Sequence, residues 1–200
     1  MLHYHSTLHD LLVVQLKDIY SGESQLACEA LPKMVYRSTN RGLAELLTDH
    51  LSETKGQIKR LDRVAGLLGV NLSKSHSTAM QGLLTAAFAW MDQEAGPEIL
   101  DAGIVANAQR IEQYEIGAYA ATCSFSRLLG ETASVDLLRE SIREKQAFSD
   151  ALSAAAETLF KAAADARVRV KPMDPITLSD RLERLANTGQ NFVEVTLRHS

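Results

Sequence analysis

The stretch from Ala108 to Tyr119 reads Ala-Gln-Arg-Ile-Glu-Gln-Tyr-Glu-Ile-Gly-Ala-Tyr. Apolar residues recur in and around it every three to four positions, which predicts an amphipathic helix. The apolar stripe contains Glu112 and Glu115, three residues apart, where core side chains are expected. A helix that turns two carboxylates toward the core has to bury them against groups that compensate their charge.

The other long helical patterns also carry polar side chains on their apolar stripes. The four segments with a 3.6-residue apolar period are Thr7 to Tyr36, Asn40 to Leu68, Pro97 to Leu129, and Thr132 to Asp165. On a helical wheel, the stripe of the first segment contains Glu23. The stripe of the second contains His50, Glu53 and Gln57, and the stripe of the fourth contains Glu140 and Glu144. These acids lie near the middle of their helices, so antiparallel packing is expected to bring them to one level.

The connections between these segments predict how the helices are arranged. Residues 38–41 join the first two segments and a turn at Gly130 joins the last two, and such short joins make antiparallel neighbours. A longer stretch, Val70–Gly96, with a short helix predicted over Thr78–Gln93, joins the second segment to the third. Two hairpins linked by one long crossover predict an all-α, ferritin-like four-helix bundle. Within the first segment, Pro32 either kinks the last turn or marks a break.

Composition excludes several classes of protein. The net charge of −4 and the pI near 5.9 leave no basic footprint for nucleic acid, and no apolar run approaches the roughly 20 residues of a membrane span. The N-terminus lacks a basic region followed by an apolar stretch and a cleavage site, so we expect a cytoplasmic protein. We assign residues 1–166 to the bundle and residues 167–200 to a C-terminal extension with a short helix and two short strands.

Five or six carboxylates in one bundle interior require compensation, since burying even one unpaired carboxylate is costly. Proton uptake, pairing with basic groups or metal ions could each supply it. Arg60 is the main basic candidate on the stripes, and one Arg cannot balance so many acids. Two metal ions can, and carboxylates with an imidazole suit Fe best, with Mn or Zn as further candidates. The alternative for any single Glu is a position at the stripe edge, from which it reaches water.

Five stretches contain these acids and the apolar positions around them. They are Leu16-Lys-Asp-Ile-Tyr-Ser-Gly-Glu-Ser-Gln-Leu26, Ala30-Leu-Pro-Lys-Met34, His50-Leu-Ser-Glu-Thr-Lys-Gly-Gln57, the stretch Ala108–Tyr119, and Leu137-Leu-Arg-Glu-Ser-Ile-Arg-Glu-Lys145. In these stretches the chain resembles the YciE/YciF-like family of bacterial ferritin-like stress proteins. The resemblance implies a homodimer and a rubrerythrin-like site for two metal ions. By position, it implies as metal ligands Glu23, Glu53, Glu112, Glu115 and Glu144, followed by His50 and Glu140.

The chain departs from the common di-iron template, which carries Glu-x-x-His on two of its helices. Gly56 and Arg143 stand where those histidines would fall, and Gln113 stands where members of the resembled family often have His. The site is therefore expected to be rich in oxygen ligands with at most one imidazole. This composition counts against efficient ferroxidase or peroxidase turnover.

Two functions of different classes remain open. In the first, the chain is a di-iron or di-manganese stress-response protein whose reduced metals react with O2 or peroxide. Glu53 and either Glu115 or Glu112 would then bridge the ions, and Glu23 and Glu144 would be terminal ligands. In the second, it is a non-catalytic structural or partner-binding stress protein with a vestigial or stabilising metal site. An iron-storage shell has less support because nothing in the sequence indicates a cage assembly.

Overall fold

The structure, a computed structural model, describes residues 7–73 and 75–167. The regular structure of these residues is entirely helical: α1 (Leu8–Gln25), a π-helical segment (Leu26–Ala30), α2 (Leu31–Arg37), α3 (Arg41–Leu68), α4 (Thr78–Met91), α5 (Pro97–Leu128) and α6 (Thr132–Arg167). The predicted all-α fold is confirmed. The short helix and strands predicted for the C-terminal extension lie outside the described residues, and the division of the chain at residue 166 stays a prediction.

Local capping residues determine where the long helices begin and end. The hydroxyl of Thr7 accepts the N–H of Asp10, and the carboxylate of Asp10 accepts the N–H of Thr7, both at 3.1 Å, which is a capping box. The side chain of Asn40 accepts the N–H of Leu43 at 3.0 Å and so caps α3. The same helix ends at Gly69, whose φ of +65° is a left-handed conformation that favours glycine.

Pro32 lies within the first long arm without ending it. Proline lacks an N–H, and its ring clashes with the carbonyl four residues earlier in a regular α-helix. Directly before Pro32, Leu26–Ala30 form a π-helical turn, after which the N–H of Leu31 donates to the carbonyl of Leu26, five residues back. Three consecutive segments thus form one arm from Leu8 to Arg37, and Pro32 marks the start of α2.

Two apolar clusters show the direction in which each helix runs. The first cluster combines the later part of the first arm, the start of α3, the start of α5 and the later part of α6, with buried members such as Leu26, Leu43, Ile104 and Leu152. The second combines the opposite ends of the same helices, with members such as Leu12, Leu61, Cys123 and Leu138. α1 and α6 therefore run parallel to each other and antiparallel to α3 and α5, which is the order that a ferritin-like crossover produces.

The crossover contains α4, which packs on the first cluster through Met80, Leu84, Ala87 and Met91. None of the helices that the structure describes combines the length and the hydropathy needed to cross a membrane. Between the two apolar clusters, near the middle of the bundle, lies a layer of buried polar side chains.

Candidate metal centre

Three helices bring acids and an imidazole into this polar layer. Glu23 comes from α1, His50 from α3, and Glu112 and Glu115 from α5, and each residue is at most 3% exposed. These four side chains are buried because apolar residues one helical turn away lie on the same stripes, and the stripes face the bundle axis. The structure thus buries four of the seven residues predicted as metal ligands, within one layer.

His50, Glu112 and Glu115 form a compact group of donors, which we call the triad. One potential ligand atom from each residue lies within 4.8 Å of the other two, and His50 Nε2 lies 3.3 Å from Glu112 Oε2. Two ligand atoms that each lie about 2.1 Å from the same ion are at most about 4 Å apart. Small rotations of the three side chains would therefore bring their donor atoms within binding distance of one metal ion. The ring of Phe148 stacks on the imidazole at a centroid distance of 3.6 Å and an angle of 5°, and this contact orients His50.

Several polar atoms of the layer are buried without a hydrogen-bond partner. They are Glu23 Oε2, both ring nitrogens of His50, Gln57 Oε1, Glu112 Oε1 and Glu115 Oε1. Buried polar atoms in native proteins nearly always have a partner, and each one without a partner calls for an explanation. A cation bound at the triad would satisfy Glu112 Oε1, Glu115 Oε1 and one ring nitrogen of His50. The donors therefore fit a single metal ion.

Lys145 of α6 also enters the layer, which the sequence prediction missed. Its Nζ lies 2.8 Å from Glu115 Oε2 and 3.0 Å from Glu23 Oε1, and its side chain is fully buried. The hydroxyl of Tyr119 donates to the same Glu23 oxygen at 2.8 Å. The expectation that Arg60 is the main basic group on the stripes is therefore wrong.

The helical pattern of α6 contained a signal for Lys145. Counting by sevens from Leu138 gives Lys145, Leu152 and Leu159, and all four residues are buried. A seven-residue step returns to nearly the same face of a helix. Lys145 thus occupies the centre of the core stripe, and its neighbour Glu144, which the sequence predicts on this stripe, lies beside it.

Burial and mutual charge shift the pKa values of these groups. Burial, and then the neighbouring Glu23 carboxylate, raise the pKa of Glu115 to about 8 against the opposing effect of Lys145. Burial lowers the pKa of Lys145, but Glu115 and Glu23 outweigh it and the net shift is upward, which keeps the ammonium charged. Burial also lowers the pKa of His50, yet its contacts with Glu112 and Glu53 produce a net rise.

The three remaining predicted ligands lie at the rim of the layer rather than inside it. The side chains of Glu53, Glu140 and Glu144 are 42%, 50% and 27% exposed. Arg60 pairs with both Glu140, at 2.9 Å, and Glu144, while Glu53 Oε2 lies 3.5 Å from His50 Nδ1. The expectation that all four helices bury acids is therefore wrong for α3 and α6.

The shift of these acids to the rim has a simple cause. The core stripe of α3 passes through His50, Thr54 and Gln57, one position away from Glu53. The stripe of α6 passes through Lys145, one position away from Glu144, which accepts a hydrogen bond from Gln57 Nε2 at 3.1 Å. The role of the rim acids as metal ligands stays a prediction.

Family and structural similarities extend along most of the chain. Residues 7–165 match the family described as Domain of unknown function (DUF892). Protein YciF of Escherichia coli strain K12 is 33% identical over 142 residues, which make up 70% of this chain and 85% of YciF.

Two solved structures share the bundle. The crystal structure of the E. coli stress protein YciF has a TM-score of 0.76 at 31% identity and covers 78% of this chain and 99% of that one. The structure of YcfI from Rhodopseudomonas palustris has a TM-score of 0.71 at 40% identity and covers 74% of this chain and 94% of that one. The predicted resemblance is confirmed, and the chain belongs to the DUF892 family, together with the stress protein YciF.

Proposed function

We propose that this protein binds a redox-active transition-metal ion in its bundle interior and acts as a cytoplasmic, homodimeric stress-response protein that reacts with O2 or peroxide. The observation that carries the proposal is the buried triad of His50, Glu112 and Glu115. Its potential ligand atoms lie within 4.8 Å of one another, and one oxygen of each carboxylate has no hydrogen-bond partner. Two carboxylates and one imidazole suit Fe or Mn, with Zn as a non-redox alternative. The name of the relative YciF, a stress protein, supports the physiological setting.

The residues of the chain would hold the ion, exclude bulk water and control charge. A bound Fe or Mn ion supplies one-electron redox chemistry toward O2 or peroxide. His50 and the two α5 carboxylates bind it, and the stacked ring of Phe148 keeps the imidazole in place. The apolar clusters on either side of the layer shield it from water, while Glu53 at the rim lies near the other ring nitrogen of His50.

Metal analysis and oxygen consumption test this proposal. Protein purified without chelators is expected to contain Fe or Mn, and protein loaded with Fe(II) under anaerobic conditions is expected to consume O2 on mixing. Glu112→Gln and His50→Gln each remove a donor of the triad and should weaken binding at least tenfold. Glu45→Gln alters an exposed acid of α3 that pairs with Arg41 and should leave binding unchanged. Absence of metal and of metal-dependent O2 or peroxide consumption in the unaltered chain would reject the proposal.

A non-catalytic role is the second candidate function. The relative YcfI is described as "a putative structural protein", and the same bundle could serve as a binding module. With a vestigial site, this candidate predicts no Fe, Mn or Zn in the purified protein and the same melting temperature with and without EDTA. With a stabilising site, it predicts bound metal without consumption of O2 or peroxide. Metal-dependent consumption of O2 or peroxide would argue against either version.

A further inference from the structure

We propose that Lys145 supplies, as part of the chain, the positive charge that a second metal ion would otherwise bring, so that the interior binds one divalent ion and not two. This inference rests on the proposed function, because it concerns how the same layer is loaded. It differs from the pair of ions that the resemblance implies. Contacts, charge and the positions of the unpartnered atoms each support it.

The ammonium of Lys145 uses the carboxylate oxygens that a second ion would need. It joins Glu23 of α1 to Glu115 of α5, at 3.0 Å and 2.8 Å, from a fully buried position on α6. Glu23 Oε1 additionally accepts the hydroxyl of Tyr119 at 2.8 Å. A carboxylate oxygen that receives an ammonium and a hydroxyl has little capacity left for a metal.

The charge of the buried layer balances with one divalent ion. Glu23, Glu112 and Glu115 are the buried carboxylates of the layer, and Lys145 is fully buried beside them. When all are ionised, three negative charges face one ammonium, which leaves two negative charges uncompensated. One divalent ion neutralises them, whereas two ions would leave an excess of positive charge in an interior where unpaired charge is costly.

The unpartnered atoms of the layer lie mostly at one position. One ring nitrogen of His50, Glu112 Oε1 and Glu115 Oε1 can bind one ion at the triad, whereas Glu23 contributes only Oε2 and the second ring nitrogen, Nδ1, lies 3.5 Å from Glu53. Outside the layer, the acids of α6 are already engaged, since Arg60 pairs with Glu140 and Glu144. The available lone pairs thus define one site and leave an incomplete set of donors for another.

Titration with Mn(II), followed by electron paramagnetic resonance, tests the inference on the full-length chain. Metal-free protein is expected to bind one Mn(II) tightly and to show the six-line spectrum of an isolated ion. Lys145→Met removes the ammonium at similar volume, which should raise the count to two and produce the broadened spectrum of a spin-coupled pair. Lys145→Arg keeps the charge and should bind one ion.

The outcomes separate the inference from the proposed function. Two Mn(II) ions per unaltered chain would overturn the inference while supporting metal binding, and no bound ion would reject the proposed function itself. A folded Lys145→Met protein, checked by circular dichroism, that still binds one ion would also overturn the inference. Should this variant fail to fold, the count for the unaltered chain decides between one ion and two.

Discussion

The side chain of Tyr119 is buried, and its hydroxyl is a hydrogen-bond donor to one buried carboxylate. Its hydroxyl donates to Glu23 Oε1, and the ring also lies beside Lys145, with the ammonium 5.4 Å from the ring centroid. Burial, followed by the Glu23 carboxylate, raises the pKa of Tyr119 well above its ordinary value, so the phenol keeps the proton that it donates. The residue connects packing at the second apolar cluster with charge in the polar layer.

Replacing Tyr119 by Phe therefore tests how much a hydrogen bond to a buried carboxylate contributes to stability. Tyr119→Phe should lower the free energy of unfolding by about 1–3 kcal/mol, because Glu23 loses a donor that water cannot replace. Tyr36→Phe is the matched control, since Tyr36 is 85% exposed and its replacement should change stability by less than about 0.5 kcal/mol. Equal midpoints of urea denaturation for both variants would contradict this account.

At the level of single residues, sequence reasoning predicted the burial of the triad correctly and the burial of the rim acids wrongly. Glu112 and Glu115 lie within a stripe that apolar residues mark on both sides, so their burial could be predicted. Adjacent residues such as Glu144 and Lys145 are only 100° apart on a helix, and a core stripe is at least that wide. The seven-residue series through Leu138 and Leu152 favours Lys145 within α6, but its two carboxylate partners lie on α1 and α5 and are not local to that helix.

Among the helices, α3 offers two glycines in opposite situations. Gly66 lies inside the helix with open space where a side chain would project, whereas Gly69 ends it with a φ of +65°. Gly66→Ala should stabilise the protein by about 0.5–1 kcal/mol, because alanine loses less conformational entropy in a helix. Gly69→Ala should destabilise it by about 1 kcal/mol, because the left-handed conformation strains an L side chain. Thermal unfolding of both variants would show opposite shifts, and shifts of the same sign would be inconsistent with these roles.

Helix ends could be predicted because they depend on neighbouring residues, while the π-helical turn could not. Thr7, Asn40 and Gly69 act within four residues of the ends that they cap. The turn at Leu26–Ala30 instead adjusts the first arm so that Leu26, before Pro32, and Met34, after it, both reach the first apolar cluster. Pro32 marks the place in the local sequence, but the form of the irregularity depends on packing against the other helices of the first cluster.

For the whole molecule, the triad connects α3 to α5, so metal binding should stabilise the folded bundle. An ion that binds only the folded state at about 100 times its Kd adds about 2.7 kcal/mol to the free energy of unfolding. The melting temperature should therefore rise with added Mn(II) and return to its starting value with EDTA. Glu112→Gln should abolish the rise, and a rise of equal size in that variant would place the ion elsewhere.

The arrangement of the helices was largely predictable because connection lengths limit topology. Short joins near residue 39 and at Gly130 require two hairpins, and Val70–Gly96 is long enough to return along the bundle. The proposed homodimer follows from the family resemblance, and light scattering of the purified chain measures it directly.

The position of Lys145 also has a consequence for the order of events during biogenesis. Because this counter-charge is covalently attached to α6, Glu23 and Glu115 acquire it when α6 packs against α1 and α5. Assembly of the polypeptide need not wait for delivery of a cofactor. An ion would then enter an already folded bundle, and the partly exposed Glu53 lies 3.5 Å from the buried imidazole of His50.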